Sequence, residues 1–142
     1  MAHAAEIKAK ILVAASPEPR AVIERVLAGH DLSFAETLVQ AVKLLSERPF
    51  DLIICTIAFD ESKMFELLGL AKSTAAWKSI PFVCSRVRSN VLRSPSARLA
   101  AAFTSRHLGA AAFLDIGDYQ TDAEQGMREA ITVILENNGP NR

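Results

Sequence analysis

The sequence predicts an α/β fold: a doubly wound, five-stranded parallel sheet of order 2-1-3-4-5, sandwiched between helices in three layers. Three observations carry this. Five short apolar runs recur along the chain, each strand-sized and rich in Val, Ile, Leu and Phe. Between them lie segments whose apolar residues repeat at helical spacing, the pattern of βαβ units with a sheet covered on both faces. Half of the 142 residues are hydrophobic and only 6% aromatic, which suits one domain that buries roughly 70% of the surface its unfolded chain exposes. Right-handed crossovers make 2-1-3-4-5 the economical order, with a site expected where the order reverses, at the carboxyl ends of strands 1 and 3.

Strand 1 is "ILVAA" from Ile11. Pro17 and Pro19 suit the start of a first helix running to about Gly29, because proline fixes φ and its missing N–H is not needed in a first turn. Strand 2 is "LSFAE" from Leu32, and Thr37 with Gln40 fits a capping box at the start of the second helix. That helix is expected to present Val39, Val42 and Leu45 on one stripe and to end at Arg48-Pro49. Strand 3 is "LIICTI" from Leu52, followed by a helix carrying Met64, Phe65, Leu67, Leu68 and Ala71, with Trp77 as a packing anchor. Strand 4 is "IPFVCS" from Ile80. Pro95 then divides an Arg-rich loop from an Ala-rich helix beginning near Ser96. Strand 5 is "AAFLD" from Ala111, and Thr121 with Glu124 fits a second capping box. The last helix carries Met127, Ile131, Ile134 and Leu135 and stops at Gly139 and Pro140. Residues 9–137 are the expected domain, with 1–8 and 138–142 as tails.

Composition excludes several functions. Sixteen basic residues balance 16 acidic ones, so nucleic acid or an anionic membrane would need a local patch. No apolar run approaches a membrane span and "MAHAAEIKAK" lacks a signal-peptide core, so a cytoplasmic protein is expected. There Cys55 and Cys84 are reduced thiols, best read as small core residues. With no CxxC and no neighbouring His, they do not form a zinc site. His3, His30 and His107 have no ligand or triad spacing, so nucleophilic catalysis is not expected. The loop "AASPEPR" has no glycine, which rules out a Walker A loop or dinucleotide fingerprint. Its Glu and two prolines also argue against flavin. No metal and no cofactor are expected.

The chain resembles the receiver domain of bacterial two-component response regulators across roughly Lys8 to Glu136. "KILVAAS", "ERPFDLIICTI", "KSIPFVCS" and "LGAAAFLD" carry the resemblance. It implies a flavodoxin-like, receiver-like fold. It also implies a reaction centre: two acidic residues after strand 1 that bind Mg²⁺, a phosphoacceptor aspartate ending strand 3, a hydroxyl ending strand 4 and a lysine ending strand 5. In these frames the acidic pair falls on Ala15 and Ser16, the phosphoacceptor on Thr56, the hydroxyl on Ser85 or Arg86, and the lysine on Ile116.

Almost the whole reaction centre is absent. A phosphoaspartate requires a carboxylate nucleophile and oxygen-rich ligands for a hard cation, and these side chains supply neither. Glu18 and Asp60 are nearby acids, read as solvated loop residues. Carboxylates within about 4 Å repel by on the order of 4 kcal/mol at an effective dielectric near 20. The substitutions remove that strain, and Thr56→Asp is expected to destabilise the fold modestly without creating a phosphorylatable protein.

The expected function is therefore a pseudo-receiver: a signalling or regulatory protein-interaction module that is not an enzyme. With no output domain in the sequence, it would act by docking on another signalling protein or by forming a homodimer. Receivers commonly use the fourth helix, fifth strand and fifth helix for this, so Phe113 and Tyr119 are candidates for the interaction face. Arg86, Arg88, Arg93 and Arg98 lie in a stretch without acids from Ser85 to Leu108, while acids dominate from Asp115 to Glu136. That cluster suits an acidic partner, or a small anionic ligand in the alternative reading, a sensor using the vacated pocket. It lacks stacking aromatics, and the chain has no helix-turn-helix, so nucleic acid is not expected.

Overall fold

The computed structural model describes residues 8–87, 94–115 and 123–138. Five parallel strands, β1 (Lys10–Ala14), β2 (Asp31–Ala35), β3 (Leu52–Thr56), β4 (Phe82–Arg86) and β5 (Ala112–Asp115), form one sheet. Their spatial order is β2-β1-β3-β4-β5, the predicted 2-1-3-4-5. The helices are α1 (Arg20–Val26), α2 (Leu38–Glu47), α3 (Met64–Ser73), α4 (Pro95–His107) and α5 (Ala123–Asn137). A short turn, Phe59–Ser62, precedes α3.

The pleat sorts alternate residues into two cores. Ile11, Val13, Leu52, Ile54 and Val83 face α1 and α5, where Ile23, Val26, Met127 and Ile131 complete a buried cluster. Leu12, Ile53, Cys55, Phe82 and Cys84 face the other way, against Ala41 and Leu45 of α2 and Met64, Leu67 and Leu68 of α3. Helix α4 lies on this second face, with Ala101 and Ser105 buried and the Ser105 hydroxyl donating to Ala102 O at 2.9 Å. Trp77 packs against the same cluster.

Helix ends follow the local chemistry. The Thr37 hydroxyl accepts from Gln40 N at 3.1 Å, as the capping box predicts. The Gln40 side chain reaches back to Glu36 N at 2.8 Å, one residue before the expected donor. Of the stripe predicted for α2, Leu45 is buried as expected, but Val39 is 78% exposed while Ala41 is buried and Leu38 packs beside it. Helix α4 starts one residue earlier than expected. Ser94 is its N-cap, accepting from Ala97 N at 3.4 Å, and Pro95 occupies the first turn. Thr121 lies outside the described residues. Glu124 instead receives Arg25 at 2.8 Å, and Arg128 donates to the carbonyls of Arg25 and Val26, tying α5 to the end of α1.

The turn after β3 is built from non-glycine residues in left-handed backbone: Asp60, Glu61 and Ser62 have φ of 45, 56 and 69°, a conformation costing roughly 1–2 kcal/mol per residue. Specific bonds hold it. Asp60 Oδ2 accepts from Leu38 N at 2.7 Å, so this acid caps α2 and is not the solvated loop residue expected. Lys63 Nζ closes the turn on the Asp60 carbonyl at 3.2 Å.

His30 secures the start of β1, its Nδ1 accepting from Ala9 N at 3.0 Å, which requires that nitrogen to be unprotonated. Burial lowers the His30 pKa from its ordinary 6.5. The unfolded chain therefore binds the proton more readily, and this stabilisation is complete above about pH 6.5 and lost as pH falls below it. The melting temperature is expected to decline from pH 7.5 to 5.5, with a shallower decline in His30→Gln; parallel curves would dismiss the role.

Candidate functional site

Strand order reverses between β1 and β3, so the site is built from their carboxyl ends and from those of β4 and β5. Strand register places Thr56 beside Ser85 and Arg86 beside Asp115. Because side chains alternate, Thr56 and Ser85 point to the α1 and α5 side, and Arg86 and Asp115 to the α4 side.

On the first side the chemistry is neutral. Ala15 is buried, and its N–H donates to Ala35 O at 3.0 Å; Ser16 is half-buried. Thr56 is 3% exposed, and its hydroxyl oxygen is buried with no hydrogen-bond partner among the described residues. Ser85 is fully buried and donates to Cys55 O at 3.2 Å. Ile116 lies outside the described residues.

These residues do not fit the Mg²⁺ that the fold implies. A hard dication needs several oxygen ligands, carboxylates above all. Where acids would stand, the rim offers the methyl group of Ala15 and the hydroxyls of Ser16 and Thr56. Asp60 is committed to α2, and no group of three His, Cys, Asp or Glu able to hold a metal occurs among the described residues.

On the second side the charges are internal. Arg86 Nη1 meets Asp115 Oδ1 at 2.6 Å, with side-chain exposures of 5% and 8%. Arg98 of α4 approaches Asp115 Oδ2 at 3.5 Å. Arg86 and Arg98, expected to offer positive charge to an anion or partner, are held by an internal carboxylate. The sequence stretch without acids concealed this, because Asp115 comes from the next strand. The other two arginines of the cluster, Arg88 and Arg93, lie outside the described residues, as does Tyr119. Phe113 is half-buried and, with Leu99, Ala102 and Arg106, lines a hollow of about 310 Å³ between α4 and β5.

Cys55 and Cys84 are register partners on adjacent strands and free thiols. Burial pushes Cys55 well above the usual thiol range and Cys84 up to about 12. Neither supplies a thiolate nucleophile at neutral pH. The described histidines serve elsewhere, His30 at Ala9 and His107 stacked on Phe103.

The sequence reading missed the outer face of α4. Leu99 and Phe103 are 73% and 72% exposed, one turn apart on the same stripe. A large apolar pair at that spacing was the signal, but it reads equally as a core stripe until the sheet shows which side faces inward.

No family model matches the chain, and no curated protein does. Solved structures do. A response regulator from Hahella chejuensis is similar at 24% identity over 94% of this chain and 98% of its own, with a TM-score of 0.71. A receiver domain of a signal transduction histidine kinase from Syntrophus aciditrophicus matches at 19% identity over 91% of each chain, TM-score 0.70. The phosphorylated cyanobacterial phytochrome response regulator RcpA matches at 18% over 96% and 97%, TM-score 0.69. With the 2-1-3-4-5 parallel sheet, these similarities establish that the chain has the fold of response-regulator receiver domains.

Proposed function

We propose that the chain is a pseudo-receiver: a signalling module that acts by docking on another protein and is not switched by phosphorylation of an aspartate. The observation that carries this reading is Thr56, a buried threonine with an unpartnered hydroxyl at the carboxyl end of β3. An alcohol in a neutral, metal-poor setting is not activated for attack on a phosphoryl donor. The alternative, a sensor of a small anion, is weakened by the commitment of Arg86 and Arg98 to Asp115. With no activated nucleophile at the rim, an enzyme is the weakest reading. Among the described residues no helix is long and apolar enough to cross a membrane, and a cytoplasmic site of action would keep Cys55 and Cys84 as thiols.

Incubation with acetyl phosphate and Mg²⁺ followed by intact-mass measurement tests the reading. The mass is expected to stay unchanged. Gain of one phosphoryl group, lost again on hydroxylamine treatment as an acyl phosphate is, contradicts it.

A further inference from the structure

Strand β2 ends the sheet, with β1 on one side and no described strand on the other. Asp31 N donates to Ala9 O at 2.9 Å, and Ala35 O accepts from Ala15 N at 3.0 Å, so the backbone groups of Asp31, Ser33 and Ala35 face β1. Those of the alternate residues, Leu32 and Phe34, face outward. Such an edge is a template for another chain unless Lys, Pro or a bulge guards it. Asp31–Ala35 contains neither Lys nor Pro, and its register with β1 runs without a break. The side chains are held ready along the edge. Leu32 and Phe34 are half-buried against the first core, and the Arg20 guanidinium lies 3.8 Å over the Phe34 ring. On the opposite face the Ser33 hydroxyl accepts from Arg48 Nη1 at 3.1 Å.

We propose that a second copy of this chain pairs with this edge, β2 antiparallel to β2 about a two-fold axis through Ser33. The register is self-complementary. Leu32 of each copy falls opposite Phe34 of the other, and each of these pairs exchanges both of its N–H···O bonds. The same pairs set an aliphatic side chain against an aromatic one, a combination that stabilises neighbouring strands. Ser33 meets Ser33 as a non-hydrogen-bonded pair, with Cα atoms about 4.5 Å apart. Glu36 falls opposite His30, so no like charges meet at the ends. Arg48, brought toward the axis, shares a small hollow with Asp31, whose carboxylate offsets its charge. A foreign strand could satisfy the backbone groups, but this edge supplies its own match in both bonds and side chains. The contact is isologous and closes at two copies, joining two sheets into one. It lies at the sheet edge remote from β5 and goes beyond the docking reading above, since it holds whether or not the chain takes up phosphate.

Sedimentation velocity of the full chain, from low micromolar to several hundred micromolar, tests the association. A concentration-dependent rise to twice the protomer mass is expected, with the dissociation constant weakened at least tenfold by Leu32→Lys, which places a charge on the edge. Circular dichroism and a urea melt show that the variant remains folded. Ser33→Cys tests the register independently. Under copper-phenanthroline oxidation it is expected to give a disulfide-linked dimer, while Glu36→Cys and the parent chain, with Cys55 and Cys84 buried, stay unlinked. A monomer at every concentration overturns the proposal, as does a dimer indifferent to Leu32→Lys. A dimer in which Glu36→Cys links and Ser33→Cys does not overturns the two-fold register. A monomer that instead raises the anisotropy of a labelled extended peptide of alternating Val and Thr overturns the second copy in favour of a foreign strand.

Discussion

Asp115→Ala is expected to lower the unfolding free energy by about 3–5 kcal/mol in urea denaturation, because it removes the carboxylate paired with a buried guanidinium. Arg86 reaches Asp115 at 2.6 Å with only 5% of its side chain exposed. Water cannot replace the carboxylate without opening the packing of α4 against β5. The pair differs from an exposed surface ion pair, worth about 0–1 kcal/mol and screened by salt. The loss in Asp115→Ala should therefore change little between low and moderate salt. Removing both partners, as Arg86→Met with Asp115→Leu, is expected to recover most of it, since a matched apolar pair avoids the desolvation of two charges. A cost below about 1 kcal/mol for Asp115→Ala would show that the buried pair contributes no more than a surface one.

Thr56→Asp is expected to cost roughly 2–4 kcal/mol at neutral pH, more than the modest loss the sequence suggests, because it places a carboxylate where even a hydroxyl has no partner. The pH dependence identifies the cause. Burial raises the folded-state pKa of the new carboxyl above its unfolded value near 3.9, and each unit is about 1.4 kcal/mol. Well below that value both states hold the proton and the penalty vanishes. It grows as pH rises toward the raised folded pKa and is constant beyond it. The companion Thr56→Val, which removes the orphan hydroxyl, is expected to gain about 1 kcal/mol. Both are read from denaturation midpoints between pH 4.5 and 7.5. A Thr56→Asp protein as stable as its parent at neutral pH would mean that the rim tolerates an anion, and would reopen the question of a metal site there.

Much of the candidate site was legible before any coordinates. Ala15, Ser16 and Thr56 are local to strand ends that apolar runs announce, and the absence of carboxylates in those positions is a fact of the sequence. The partners were not legible. Asp60 looked like a loop acid, yet its carboxylate caps α2 from 22 residues away. Arg86 and Arg98 looked like free positive charge because their neighbours in sequence contain no acid, while Asp115 sits 29 residues beyond Arg86. In α2, Leu45 was placed correctly, but the rest of the stripe was misassigned by one position. Val39, Val42 and Leu45 fit a helical period as well as Leu38, Ala41 and Leu45 do, and only the sheet beneath selects between them.

The sequence by itself determined the strands, the order of the elements and the absence of carboxylates at Ala15, Ser16 and Thr56. These follow from side-chain type and from periodicities of two and 3.6 residues, which act within a few residues of each position. Tertiary structure alone decided which charges are buried and mutually satisfied, which hydroxyl is left without a partner and which apolar stripe faces water. Those properties belong to groups brought together by parallel strand register, and register joins residues through the distance between strands, however far apart they lie along the chain.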